Sequence, residues 1–372
     1  MALKKIESLI RRAASDKLSR DSRIGIWGVA MMRPYRGAVL VPILLIWAAG
    51  PAMAQPAVQS LADQAKSWWA GYLADSKLVS LPNGRKLNLY CLGQGAPVVV
   101  LESGMGAGAF NWRFVQAPLA RTTKVCAYDR AGYWKSPPSD GARDAGAEAD
   151  DLAALLKAAK LPAPYVLVAH SYGGHIVRLY ADRHMREVAG MVLVDPSVEY
   201  QDKILAAIIP TAPAMLAADL ERRTLCATDP RPPQAAGKCL DPAPPADLPK
   251  DSAGWFVEAQ TPSYSAAILK EYQALNAASS DALVAEKKSM GSRPLILLNA
   301  GKKLRFLPGQ TEPQTDALTA AWLEKHREML PISDRAELRM VEDSGHLIPT
   351  EKPEAVIRAA GDMVRALRAK GH

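Results

Sequence analysis

Val168-Ala169-His170-Ser171-Tyr172-Gly173-Gly174 closes an apolar run and opens a stretch of helical pattern. A strand that turns directly into a helix strains the residue at the turn and lifts its side chain above the sheet edge. Only small residues fit beside it, because strand and helix approach closely there, and Ala169 and Gly173 supply them. The usual pattern is Gly-x-Ser-x-Gly; Ala169 departs from it while meeting the same steric need. Serine is also a common helix N-cap. The preceding apolar strand and the small neighbours point instead to an exposed nucleophile.

Outward from this turn, residues 98–102 form a continuous apolar run with β-branched residues. Such a run suits a strand buried on both faces of a parallel sheet. The pattern recurs at 124–128, 165–169, 191–194, 294–298 and 338–341. Residues 78–81 and 86–92 flank Pro82-Asn83-Gly84 and read as a hairpin. Helical patterns cover 55–74, 147–160, 174–186 and 352–370; in 147–160 acids come early and lysines late, which suits the helix dipole. This alternation predicts an α/β fold with a mostly parallel sheet.

About a hundred residues separate the run ending at Val194 from the one starting at Pro294, far beyond ordinary loop length. Helical pieces near 202–223 and 263–288 flank a stretch holding Pro230, Pro232, Pro233, Pro242, Pro244, Pro245 and Pro249. The interval reads as an inserted cap with a stiff proline-rich loop. The expected organisation is a core over 55–196, a cap over 197–292 and a second core segment over 293–372.

The formal net charge is +8, but residues 1–54 hold nine Lys/Arg against three acids. The rest carries 37 basic and 35 acidic residues, so no nucleic-acid partner is implied. Arg33 and Arg36 precede an apolar run over 37–49, followed by Gly50-Pro51-Ala52-Met53-Ala54. That order predicts a secretory signal peptide over 1–54 cleaved after Ala54, with Met31 or Met32 as a possible true start. The apolar run falls short of the ~20 residues of a membrane span; an uncleaved membrane anchor is the alternative. A secreted or periplasmic chain with Cys91, Cys126, Cys226 and Cys239 points to disulfides, with buried thiols the alternative. A Cys226–Cys239 bond would staple the proline-rich loop.

Three further segments join the Ser171 turn: Val99-Val100-Leu101-Glu102-Ser103-Gly104-Met105-Gly106, Tyr128-Asp129-Arg130-Ala131-Gly132-Tyr133 and Asp343-Ser344-Gly345-His346. Together they resemble the α/β-hydrolase superfamily, specifically its capped, lipase- and esterase-like serine hydrolases, over residues 76–369. The resemblance implies an eight-stranded, mostly parallel sheet flanked by helices with an inserted helical cap. It implies Ser171 as nucleophile and His346 as base, in the chain order Ser, acid, His. Oxyanion donors would be the backbone N–H groups of Tyr172 and Met105. Glu102 and Ser103 stand where many relatives carry histidine. Many relatives place the acid after the seventh strand, but Leu298-Asn299-Ala300-Gly301 has none. Others place it after the sixth, where Val194-Asp195-Pro196 offers Asp195; Glu312 and Asp316 are the alternatives. Second and fourth strands are neighbours in this fold, which implies a Cys91–Cys126 disulfide.

Of the other histidines, His170 reads as a packed residue of the turn, and His175, His184 and His326 as helix residues. Asp129 and Arg130 read as structural, with Arg130 bracing a loop near the site. Trp255, Phe256, Tyr264 and Tyr272 either line a substrate pocket or form the cap's own core. No metal-ligand spacing or nucleotide-binding glycine loop is evident, and the expected chemistry needs no cofactor. The leading expectation is a hydrolase of small-molecule carboxylic esters. A peptidase or amidase and a non-catalytic binding protein are the competing readings, and oligomeric state is not legible.

Overall fold

The computed structural model describes residues 60–228, 239 and 243–370. The expected leader over 1–54 lies outside them, as do Pro230, Pro232, Pro233 and Pro242. Eight strands form one sheet: β1 (Lys77–Ser80), β2 (Lys86–Leu92), β3 (Val98–Glu102), β4 (Val125–Asp129), β5 (Tyr165–His170), β6 (Val188–Val194), β7 (Pro294–Ala300) and β8 (Arg335–Val341). Their spatial order is β1-β2-β4-β3-β5-β6-β7-β8. β2 runs antiparallel to β1 and β4, and every other pairing is parallel. The continuous apolar runs are the central strands: β3, β4, β5 and β6 are buried at every position.

The helices are α1 (Leu61–Asp75), α2 (Gln116–Leu119), α3 (Ala145–Ala158), α4 (Gly173–Arg183), α5 (Gln201–Ile208), α6 (Ala212–Thr228), α7 (Ala253–Glu258), α8 (Pro262–Leu275), α9 (Ala278–Glu286), α10 (Glu312–Met329), α11 (Ile348–Glu351) and α12 (Pro353–Arg368). Alternate strand residues feed two cores, as the two-residue period of a strand requires. Val98, Val100, Leu167 and Ala169 pack with Leu152 of α3 and Ile176 of α4. Val99, Leu101, Val166 and Val168 pack with Trp68 of α1 and Val356 of α12.

Between β6 and β7 lie α5 to α9, so the described residues of the long interval are mostly helical. Each of its two expected helical pieces is in fact a pair. Pro210, which cannot donate a helical N–H, lies between α5 and α6. Asn276 ends α8 ahead of α9. Pro244, Pro245 and Pro249 lie outside helix. β8 begins three residues earlier than its apolar run, because at this edge of the sheet Arg335-Ala336-Glu337 needs no apolar pattern to pair with β7. Both disulfides are present: Cys91 and Cys126 face each other across β2 and β4, and Cys226 bonds Cys239. No helix among the described residues is long and apolar enough to cross a membrane.

Candidate active site

β4 lies on one side of β3 and β5 on the other. The chains leaving β3 and β5 therefore part and open a crevice at the strand ends, where open α/β sheets gather their sites. Ser171 stands there, directly after β5, with φ +53°. Such a backbone is costly for a residue with a side chain and is held here from both sides. The Ser171 amide donates to Val194 O at 3.2 Å, and its carbonyl accepts from Gly174 N at 2.9 Å and Ser197 N at 3.0 Å. A Cβ on Gly173 would come within 2.8 Å of the Glu102 and Ser103 carbonyl oxygens, so this position tolerates only glycine. Ala169, the departure from the usual pattern, is fully buried between the layers.

The three residues expected to act together do meet. His346 Nε2 lies 2.9 Å from Ser171 Oγ, and His346 Nδ1 lies 2.6 Å from Asp195 Oδ2. Asp195 is buried at the end of β6 with φ +41°. Its amide donates to Leu298 O at 2.8 Å, and its Oδ1 accepts from Ala300 N at 2.9 Å. Burial pushes this carboxyl up, but the His346 hydrogen bond and charge, with His326 and the Ala300 amide, outweigh burial and hold it below the usual value. Glu312 and Asp316 are exposed and pair with Lys303.

Two histidines support this arrangement. His170 Nε2 lies 2.8 Å from His346 O, and the two rings are 4.8 Å apart. Burial, then the neighbouring His346, push His170 down to about 3, so it is neutral and donates to that carbonyl. His326 of α10 is fully buried, with Nδ1 2.6 Å from Asn299 Oδ1 and Nε2 2.8 Å from Pro196 O. It ties the chain after Asp195 to the end of β7. Ser197 places its Oγ 3.4 Å from Ser171 Oγ. Neither Ser197 nor the bracing role of His326 was signalled by the sequence.

The turn over residues 103–106 crosses beside the serine: a Cβ on Gly104 would lie 3.1 Å from Ser171 Cβ. Gly106 N donates to Tyr133 Oη at 3.1 Å, and Tyr264 Oη donates to Gly106 O at 2.6 Å. The Met105 amide makes no hydrogen bond among the described residues, nor does the Tyr172 amide, which heads α4. Both remain available to a developing negative charge. Arg130 is buried beneath the turn and donates to the Ser103 and Gly104 carbonyls at 2.7 and 2.9 Å. Asp129 is structural, accepting from Tyr72 Oη, Asn88 Nδ2 and Ala109 N.

Phe256 is buried among Trp69, Phe110 and Trp134. Trp255, half-buried, meets Tyr72 and Trp134 in the same cluster. Tyr264 packs on Tyr133 and Trp134. Trp255, Phe256 and Tyr264 thus join a core shared with α1, whereas Tyr272, partly buried, lies under the Arg223 guanidinium of α6 at 5.4 Å. Nearer the reactive groups is Phe306, whose ring is 6.3 Å from that of His346; Leu347, next in the chain after His346, is exposed. Among the described residues no cluster of three or more His, Cys, Asp or Glu could hold a metal ion.

A family model described as the alpha/beta hydrolase family matches residues 98–359. The uncharacterized protein YqjL of Bacillus subtilis (strain 168) is 37% identical over 106 residues, which are 28% of this chain and 42% of that protein. The 2-hydroxymuconate semialdehyde hydrolase of Pseudomonas sp. (strain CF600) is 32% identical over 114 residues, 30% of this chain and 40% of the relative. The matches thus span less than half the length of these two curated relatives. Among solved structures, a candidate lipase from Acinetobacter baumannii AYE aligns with TM-score 0.60 at 18% identity, covering 85% of this chain and 99% of that chain. A thermophilic esterase from Thermogutta terrifontis aligns with TM-score 0.51 at 19% identity, covering 79% and 99%. At these identities the two structures speak for the fold alone.

Proposed function

The chain belongs to the alpha/beta hydrolase family, and on that premise we propose that it is a serine hydrolase of carboxylic esters working through an acyl-enzyme. The observation that carries this is the unbroken relay from Asp195 through His346 to Ser171, at 2.6 and 2.9 Å. A serine hydroxyl is a weak nucleophile at neutral pH and needs an adjacent base. His346 Nε2 takes the proton as Ser171 Oγ attacks the carbonyl carbon, and Asp195 holds the ring and stabilises its positive charge. The Met105 and Tyr172 amides receive the oxyanion. His346 then protonates the departing alcohol, and water, activated by the same ring, releases the acid.

The same fold hosts epoxide hydrolases, and one aligns with TM-score 0.53 at 18% identity. Chemistry disfavours that reaction here. Serine opening an epoxide would leave an ether with no carbonyl for water to attack, so the enzyme would not turn over. Trp255, Phe256 and Tyr264 bear on substrate through the cluster that seats α7 and α8, with Phe306 nearer the reacting atoms. Two disulfides are the chemistry of an oxidising compartment, which supports a secreted or periplasmic enzyme delivered by a leader cleaved after Ala54.

The test is a panel of p-nitrophenyl esters and aminoacyl-anilides beside Ser171→Ala. Ester turnover that vanishes in the variant is expected. Cleavage of anilides but not esters would favour a peptidase or amidase. Equal activity in Ser171→Ala would refute the mechanism.

A further inference from the structure

Tyr264, Ile268 and Glu271 are four and three residues apart on α8 and share one face of it. That face lies over the turn at 103–106. Tyr264 Oη bonds Gly106 O, and a Cβ on Gly106 would lie 3.3 Å from Ile268 Cδ1. Glu271 is fully buried, and its carboxylate is saturated. Oε1 accepts from Arg130 Nε at 2.9 Å and Arg143 Nη2 at 2.8 Å; Oε2 accepts from Arg130 Nη2 at 2.9 Å and Tyr133 Oη at 2.7 Å.

Arg130 is saturated as well. A guanidinium has five N–H donors in a rigid plane. Two go to Glu271, one to Glu102 at 2.7 Å, one to Ser103 O and one to Gly104 O. The paired grip of Glu271 fixes the orientation of the plane, and the far edge of the plane then fixes two successive carbonyls of the turn. The consequence follows from peptide geometry. Gly104 C=O and Met105 N–H belong to one planar trans unit and point in opposite directions. Holding the Gly104 oxygen toward Arg130 therefore turns the Met105 N–H away from it, and Met105 N–H is the proposed oxyanion donor.

We propose that Glu271 is a positioning residue for this reaction: through Arg130 and Tyr133 it sets the Gly104–Met105 peptide, so the oxyanion donor is aimed only while α8 is seated on the core. The proposal rests on the serine-hydrolase reading above. A buried ion-pair cluster contributes little net stability over an apolar equivalent. What it supplies here is direction, linking a helix of the segment between β6 and β7 to the atoms that meet the substrate oxygen.

Glu271→Gln removes the charge and turns amide hydrogens toward Arg and Tyr donors. The purified full chain and this variant are compared on an oxyester and its thionoester counterpart, since sulfur accepts hydrogen bonds weakly and feels less of the oxyanion site. For the folded variant, kcat on the oxyester should fall at least about tenfold, a fraction of the loss of one donor outright. KM should stay within about twofold, and the oxyester-to-thionoester rate ratio should fall with kcat. An unchanged kcat overturns the proposal. So does a fall in kcat with the ratio unchanged, which is what a merely structural role produces. If Glu271→Gln does not fold, Tyr133→Phe, which removes one bond to Gly106 and one to Glu271, decides by the same ratio. A wild-type protein that neither turns over esters nor is labelled at Ser171 by a fluorophosphonate refutes the parent reading, and this one with it.

Discussion

On the Asp195 side of Ser171 the supports are mostly neutral and mostly main chain. The Ala300 amide, the Leu298 and Pro196 carbonyls and Asn299 hold the acid between the ends of β6 and β7, and a neutral His170 at the end of β5 holds the base that follows β8. On the other side, the turn over 103–106 is held from beneath by Arg130, and around it stand Glu102, Arg143, Glu148 and Glu271, all buried and charged in type. A sheet edge already fixes its own backbone, so neutral hydrogen bonds suffice there. The turn has no ladder of its own, and rigid, bidentate charged groups reach it from other elements.

Breaking the acid side should have the largest effect on turnover. Asp195→Asn is expected to lower kcat by about 10⁴-fold through the wrong His346 tautomer, with little change in melting temperature. Asp316→Asn, at an exposed position paired with Lys303, should stay near wild type. Near-normal turnover in Asp195→Asn would remove the acid from this side altogether. Breaking the charged side should instead fall first on folding. Arg130→Met leaves Glu102 and Glu271 buried without their common partner, and urea unfolding should show a loss of about 3–5 kcal/mol. A loss under ~1 kcal/mol would mean that the cluster relaxes or hydrates freely.

Smaller effects sharpen the contrast. His326→Gln should cost about 1–3 kcal/mol, since it strips hydrogen bonds from Asn299 and Pro196 O, while kcat changes only a few fold. Protons separate the two sides as well. Burial, against the pull of Arg143, raises Glu148 from 4.5 to about 8. The folded chain thus holds a proton that the unfolded chain releases near 4.5. Its contribution to stability is complete below that pH and is lost as pH rises to about 8. Melting temperature followed across this window should decline less in Glu148→Gln than in wild type. Equal slopes would assign the decline to other groups.

The sequence made most of the main-chain side legible; on the charged side it gave Arg130 as the brace of a nearby loop but not the partners that hold Arg130. β3 to β6 announce themselves because strands buried on both faces must be continuously apolar. Ser171 was marked by its strand-to-helix turn, and His346 and Asp195 by the resemblance to α/β-hydrolases, which implies a base after the last strand and an acid after the sixth. β8 was half hidden, since the edge of the sheet tolerates Arg335 and Glu337. Glu271 could not be picked out: it meets Arg130 from 141 residues away, and a Glu amid helical residues reads as a solvated surface group. His326 suffered the same fate for the same reason. The aromatic residues 255, 256 and 264 drew notice as pocket candidates because composition shows bulk but not the face against which it packs.

The helix α1 has a consequence of its own for the order in which the molecule comes together. It is the first described element in the chain, and it buries Trp68, Trp69 and Tyr72. Its partners arrive in sequence: Trp68 Nε1 donates to Gln116, 48 residues on, Tyr72 Oη to Asp129, 57 on, and Trp69 Nε1 to Asp247, 178 on. During synthesis the Trp69 ring thus waits, wet and sticky, the longest of the three. Docking of α1 is therefore a late, long-range event, with the high contact order that slows folding and favours self-association. A fluorescence record of refolding in a variant that keeps only Trp69 of its tryptophans would report the closing of the structure and not its start.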